Sequence, residues 1–181
     1  FNALNTVYFQ IDESNKAPRR TLEMISELLR YQLYGGNQKV SILQEIDYLK
    51  TYIALRKLRM SERLRLRVEF PPELNELNIY PLLFLPLVEN AFKYVGGDYQ
   101  LDIIMKWENN RISLFIRNSI PELSAEDEAL RKSVDERQRK GIGLVNLRRR
   151  LSLLYPNKHR LETRKEETEF VAELMIEIED I

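Results

Sequence analysis

The stretch from Leu101 to Asn118, LDIIMKWENNRISLFIRN, decides the fold. Two runs rich in aliphatic and aromatic residues flank Asn109-Asn110, and asparagine is favoured in the tight turn between antiparallel strands. The stretch therefore predicts a β-hairpin with strands at 101–108 and 111–118.

Further strands are predicted on both sides of this hairpin. Residues 63–70 alternate between apolar and polar side chains and stop at Pro71-Pro72, which indicates a strand and its end. Two final strands are predicted at roughly 159–166 and 169–179.

The segments between these strands differ in character. Residues 81–94 are mostly apolar, and residues 141–155 have a helical pattern. Residues 119–140 are highly charged and have no apolar period, so a mobile loop is expected there. Strands mixed with helices in this way predict an α/β sandwich with an antiparallel or mixed sheet.

The first third of the chain is helical in pattern. One helix around 21–31 has Pro18 in its first turn and stops at 35–37, and a second begins with Ser41 as N-cap and Glu45 in its early turns. Each of the two helices has an apolar stripe. The stripe consists of Leu22, Ile25, Leu28 and Leu29 in the first helix, and of Ile46, Leu49, Ile53 and Leu58 in the second. The predicted fold class is therefore α+β, with a helical segment at 1–62 and an α/β sandwich at 63–181.

Composition excludes several classes of function. Lys+Arg and Asp+Glu number 28 each, so no net field favours nucleic acid or an anionic membrane. The absence of cysteine excludes disulfides and cysteine nucleophiles, and the single histidine, His159, excludes a multi-histidine metal site. No apolar run is long enough to span a bilayer.

The first chemical cluster is Val88-Glu89-Asn90-Ala91-Phe92-Lys93-Tyr94. On a helix, Asn90 and Lys93 share one face, while Val88 and Ala91 can face the core. An amide oxygen beside a lysine suits a magnesium ion and its phosphates. An ordinary half-buried helix with solvated polar residues is the alternative.

The second cluster is Gly141-Ile142-Gly143-Leu144, which precedes an arginine-rich helix. Two glycines before a helix let backbone N–H groups approach a phosphate at the positive end of the helix dipole. The polar segment 119–140 lies directly upstream, where a lid would lie. Simple helix initiation after a loop is the alternative.

The third cluster is Asn118-Ser119, at the end of a predicted strand. Its side-chain carbonyl could accept a hydrogen bond from an adenine amino group. Taken alone, the pair is only a turn signal.

In their order and intervals, these motifs resemble the LytS-like class of sensor histidine kinases, whose ATP-binding domain is of the GHKL type. The resemblance runs along essentially the whole chain. Its residues are Phe1-Asn2-x-Leu4-Asn5, Leu28 to Tyr31, Glu45, Tyr48-Leu49, Tyr52-Ile53, Arg59, the N box from Pro81 to Lys93, and the glycine box Gly141-x-Gly143-Leu144-x-Asn146 with its helix to Pro156.

The resemblance implies an ATP-dependent protein-histidine kinase that uses Mg²⁺. Asn90 would hold Mg²⁺, Lys93 would neutralise phosphate charge, and Tyr94 would contact ribose or phosphate. The other implied residues are Asn118, Gly141, Ile142, Gly143 and Leu144 for ATP binding, with Asn2 and Glu89 as catalytic.

The resemblance also implies where the phosphoryl group goes. The phosphoacceptor histidine would lie three residues before Phe1, with Asn2 one helical turn after it, whereas His159 would be structural.

The implied partners are a second copy of the parent kinase and a response regulator, with no nucleic acid. The parent would act on the cytoplasmic side of the bacterial inner membrane and contact the membrane through parts outside this chain.

Two departures from the family pattern bear on function. Hydrolytic relatives have a glutamate four residues before the asparagine, where this chain has Pro86, which disfavours a gyrase-like ATPase. The usual Asp-x-Gly-x-Gly adenine box is replaced by Asn118-Ser119-Ile120-Pro121. Two readings therefore stay open: an active kinase module, and a degenerate nucleotide-binding or dimerising signalling module without kinase activity.

Overall fold

The computed structural model of the chain describes residues 1–34, 38–72, 74, 77–122 and 142–178. It divides into two compact units. The first consists of Phe1–Met60 with Asn78–Leu82, and the second consists of Ser61–Leu77 with Leu83–Ile181. Residues 78–82 thus return to the helical unit, although they lie far beyond it in sequence.

The described elements follow the predicted order of helices and strands. They are α1 (Asn2–Gln10), α2 (Lys16–Tyr34), β1 (Val40–Ser41), α3 (Ile42–Lys57), β2 (Arg65–Glu69), β3 (Asn78–Ile79), α4 (Leu85–Tyr94), β4 (Gln100–Glu108), β5 (Arg111–Ser119), α5 (Ile142–Leu154), β6 (His159–Lys165) and β7 (Glu169–Glu177). The two-residue strands β1 and β3 have no sequence signal.

The helical unit is built on α3, which packs against α2. Ser41 caps α3 as expected: its Oγ accepts from the Leu43 N–H, and the Gln44 side chain accepts from the Ser41 N–H. This capping box satisfies two backbone donors at the helix start. The buried residues of α3 are Ile42, Glu45, Ile46, Tyr48, Leu49 and Ile53.

The second unit contains a five-stranded sheet in the order β2-β4-β5-β7-β6. The β2–β4 pair is parallel and the other pairs are antiparallel, so the sheet is mixed. The predicted hairpin turns at Asn109 and Asn110, whose φ angles are 51° and 59°. These positive angles explain why asparagine occupies both positions.

One face of the sheet forms the core with two helices. The register pairs Leu101 with Asn118 and Ile103 with Ile116 on this face, and all four residues are buried. α4 contacts β4 and β5 as well as α5, and α5 contacts β6. Arg148 anchors α5 further, since its Nη1 donates to the carbonyl of Leu161 at 2.9 Å.

These observations confirm the predicted fold class, an α+β chain with helices followed by a mixed-sheet sandwich. The expected loop at 119–140 falls mainly outside the described residues. No helix in the described ranges is long and apolar enough to cross a membrane.

Candidate functional site

The end of β5 is bonded directly to the end of α4. The Ser119 carbonyl accepts from the Gly96 N–H at 3.0 Å, and Ser119 Oγ donates to the Gly96 carbonyl at 2.6 Å. The same Oγ accepts from the Gln100 N–H at 2.9 Å. The structure therefore brings the first and third sequence clusters together.

Two glycines after α4 make this contact possible, and sequence reasoning missed them. A Cβ on Gly96 would lie 2.8 Å from Pro121 Cδ, and one on Gly97 would lie 2.9 Å from the Ile120 carbonyl oxygen. Gly97 also has φ +60°, which favours glycine. The only available signal was the Gly-Gly pair that follows the Asn90 cluster.

Asn118 is a fully buried amide on the core face of the sheet, with 0% of its surface exposed. Its Nδ2 donates to the Ser119 carbonyl at 3.2 Å, but its Oδ1 is buried and has no hydrogen-bond partner within the described residues. A buried acceptor without a partner costs about 1–3 kcal/mol. A ligand that donates one hydrogen bond here would recover that loss.

The polar face of α4 borders this strand end. Val88 and Ala91 are buried as predicted, whereas Asn90 is half-buried and Lys93 is exposed. Lys93 Nζ lies 5.1 Å from the ring centroid of the half-buried Tyr94. The exposed Glu89 lies next to Asn90 in sequence, about 100° away around the helix. An oxygen ligand and a cation are thus available on a helix whose other face is held by the core.

The start of α5 is the third part of the candidate site. A Cβ on Gly143 would meet no atom of the described residues within 4 Å, so packing among those residues does not require glycine there. The first turn of this thirteen-residue helix suits an anion, because the first N–H groups and the dipole favour negative charge. Ile142 begins the helix and Leu144 is half-buried, while Gly141 lies outside the described residues.

On the opposite face of the sheet, Asp102 and Arg117 form a cross-strand ion pair next to Asn118. Arg117 Nε and Nη2 donate to Asp102 Oδ2 at 3.0 and 2.6 Å. The hydrogen bond to Asp102 raises the pKa of Arg117 because it favours the charged guanidinium. This pair holds the end of β5 in register with β4, and it faces away from the candidate site.

The donor set fits a nucleotide with its magnesium ion. Within the described ranges, no group of three or more His, Cys, Asp or Glu side chains could hold a metal ion. Mg²⁺ is commonly bound by one or two protein oxygens together with substrate phosphates and water. Asn90 could supply such an oxygen, and Asn118 Oδ1 could supply an acceptor for an amino group.

Two predicted positions lie away from this cluster. Asn2 is exposed in the first turn of α1, where its carbonyl accepts from Thr6 Oγ1 at 2.9 Å. His159 Nδ1 lies 2.7 Å from the Tyr155 carbonyl, and it must donate because a carbonyl only accepts. That bond ties the start of β6 to the end of α5, in keeping with a structural histidine.

Comparison with known proteins shows similarity to histidine kinases. Residues 1–64 match the family model described as histidine kinase. The fold resembles that of the mycobacterial sensor histidine kinase MprB, with a TM-score of 0.51 at 13% identity over 80% of this chain and 99% of that one. Residues 1–64 are thus similar to histidine kinases, and the fold of the chain is similar to that of a sensor histidine kinase, in keeping with the resemblance that the order of the motifs indicates.

A particular relative is the sensor protein kinase HptS of Staphylococcus aureus. It is 27% identical over 166 residues, which cover 89% of this chain and 32% of HptS. The chain thus spans about a third of the length of the curated relatives it matches. The histidine kinase AdeS of Acinetobacter baumannii has a TM-score of 0.49 at 15% identity, over 88% of this chain and 76% of AdeS.

Proposed function

We propose that this chain is the catalytic fragment of a LytS-like sensor histidine kinase. It binds Mg-ATP and delivers the γ-phosphoryl group to a histidine that lies three residues before Phe1 in the parent protein. That group then passes to an aspartate of a response regulator. The observation that carries the proposal is the buried Oδ1 of Asn118 beside the Asn90 helix, which has no hydrogen-bond partner within the described part of the chain, in a chain similar to sensor kinases.

Each residue of the site has a defined role in this proposal. Asn118 Oδ1 accepts from the adenine amino group, and Asn90 holds Mg²⁺. Lys93 and the N–H groups at the start of α5 offset phosphate charge, while Tyr94 contacts ribose or phosphate. The proposed α5 residues are Gly141, Ile142, Gly143 and Leu144.

Two further residues are proposed to act on the acceptor side. Asn2 follows the phosphoacceptor histidine by one helical turn and so shares its face. Glu89, adjacent to Asn90, is proposed as a catalytic carboxylate near the transfer reaction. Pro86 replaces the water-activating glutamate of hydrolytic relatives, which favours transfer to a protein histidine over hydrolysis.

The parent protein is proposed to act as a homodimer on the cytoplasmic side of the bacterial inner membrane. Exposed apolar side chains on the first two helices and at the N-cap of α1 support a helical partner, since such surface favours burial. These residues are Phe1, Val7, Phe9, Leu29 and Leu33, which are 39–80% exposed.

A degenerate nucleotide-binding or dimerising module is the second candidate. The observation that favours it is the altered adenine box, in which Asn118 is uncharged and Ile120 and Glu122 stand where the two glycines are usual. Phosphohistidine formation by the full-length protein with labelled ATP separates the two functions. We expect the label on the upstream histidine, and label on His159 or on no histidine would contradict the kinase proposal.

Asn118→Ala is expected to weaken ATP binding by about tenfold, because one buried hydrogen bond to adenine is lost. GTP carries a carbonyl in place of the adenine amino group, so its weaker binding should change little. Calorimetric titration of this chain with both nucleotides in Mg²⁺ measures the two effects.

Asn109→Gly, at the opposite end of β5, is the control for that measurement, since glycine keeps the positive φ of the turn. Its affinity for ATP should equal that of the unchanged protein. Equal affinity for ATP and GTP, insensitive to Asn118→Ala, would remove Asn118 from the site.

A further inference from the structure

Glu45 is a carboxylate in the core of the helical unit, with 0% of its surface exposed. Its Oε2 accepts from Tyr31 Oη at 2.6 Å and from the backbone N–H of Leu82 at 2.9 Å. Tyr31 lies on α2, Glu45 on α3, and Leu82 at the end of the segment 78–82. A single oxygen therefore joins both long helices to the segment that leads into α4.

Helix packing alone does not explain a carboxylate at this position. Burying a carboxylate is unfavourable unless hydrogen bonds compensate, and a leucine would hold α2 against α3 without that penalty. The stacked rings of Tyr31 and Tyr48, with centroids 4.6 Å apart, already join the two helices. The bond to the Leu82 backbone, by contrast, joins Glu45 to a segment outside the two helices.

The segment 78–82 is held at both of its ends. At its start, Asn78 and Ile79 pair with Ser41 and Val40 in the two-stranded β1–β3 sheet. At its end, Leu82 has φ 58°, a conformation that a residue with a side chain seldom adopts without support. The hydrogen bond to Glu45 supplies that support.

The chain passes from Leu82 to the candidate site within a few residues. Leu83 and Phe84 are each 0% exposed, and Phe84 is the N-cap of α4, the helix that carries Asn90. Such tightly packed residues transmit a displacement instead of absorbing it.

We infer that Glu45 is a positioning residue, which couples the packing of α2 against α3 to the conformation of the segment 78–82, from which the chain continues into α4. A change in that helix packing would weaken the Tyr31–Glu45–Leu82 bonds and slow phosphoryl transfer. The inference rests on the proposed function and names a means by which the helical unit regulates it.

Single-turnover autophosphorylation of the full-length protein at saturating ATP tests the inference. Glu45→Leu, which keeps an apolar side chain between the helices but accepts neither bond, is expected to lower the rate by about 10- to 100-fold, because small misplacements of reacting groups have effects of that size. Tyr31→Phe, which removes one of the two bonds, should lower it by about fivefold. The dissociation constant of ATP should stay within about twofold in both variants, because no nucleotide contact is removed.

Tyr8→Phe is the matched control. Tyr8 Oη donates to Glu23 Oε1 at 2.9 Å, so this variant also removes a Tyr–Glu hydrogen bond from the helical unit, but one without a link to Leu82. Its transfer rate should be unchanged. All rates are compared at a temperature where circular dichroism shows each variant fully folded.

The outcomes are distinguishable. If the Tyr31–Glu45 hydrogen bond only stabilises the fold, the Tyr31→Phe variant would have a lower unfolding temperature and an unchanged rate of phosphoryl transfer. That result would overturn the inference. A loss of rate matched by a loss of ATP affinity would overturn it too. If Glu45→Leu fails to fold, Tyr31→Phe decides alone. An unsubstituted protein that bound no ATP would instead refute the proposed function, and the inference with it.

Discussion

Asn90→Ala is expected to lower phosphoryl transfer by the full-length protein by about 100- to 1000-fold, the effect of removing one group that stabilises transition-state charge. The half-buried amide is the proposed protein ligand of Mg²⁺, and alanine offers no oxygen to replace it. Its backbone stays in α4, whose buried residues are unaffected. Labelled ATP and phosphohistidine detection measure the rate.

Asn90→Asp sharpens this prediction, since its carboxylate still offers Mg²⁺ an oxygen. We expect it to retain more activity than Asn90→Ala, and to respond to a higher Mg²⁺ concentration where the alanine variant does not. Equal rates for the alanine variant and the unchanged protein, with both fully folded, would contradict a role for Asn90 in the site.

Leu151→Ala is expected to lower the free energy of unfolding of the second unit by about 2–5 kcal/mol, the range for a buried leucine replaced by alanine. Leu151 lies on α5 with 0% of its surface exposed, so truncation leaves a cavity under the helix. The single tryptophan, Trp107, lies on β4 in the same unit. Its fluorescence during urea unfolding therefore monitors this unit.

Leu153→Ala is the matched control on the same helix. Leu153 is 73% exposed, so its truncation should change the unfolding free energy by no more than about 0.5 kcal/mol. Similar losses in both variants would mean that α5 does not pack as described.

A saturating excess of Mg-ATP, at about 100 times its dissociation constant, should add about 2.7 kcal/mol to the free energy of unfolding of the unchanged protein. The same urea titration, repeated with Mg-ATP present, measures this gain.

Much of the second unit could be predicted because its signals are local. Asn109-Asn110 indicated the hairpin turn, and the strands at 159–165 and 169–177 begin where their patterns predicted. Ser41 marked the start of α3, because an N-cap acts on backbone groups within one turn. The mixed sheet is likewise confirmed.

The geometry of the candidate site was only partly predictable. The clusters around Asn90 and Asn118 were found separately, since each is a short run of adjacent residues. Their contact depends on Ser119 and Gly96, which are distant in sequence and meet through tertiary packing. The proposed roles of these residues stay predictions until nucleotide binding is measured.

The sequence by itself determined the helices, the main strands and the order of the motifs, because propensity, capping and turn chemistry act over a few residues. Only the tertiary structure decided that β2 pairs in parallel with β4, that residues 78–82 return to the helical unit, and that Glu45 is buried beneath them. Such pairings depend on which distant apolar surfaces are buried together. No local pattern distinguishes Glu45 from a solvated glutamate on the first turns of a helix.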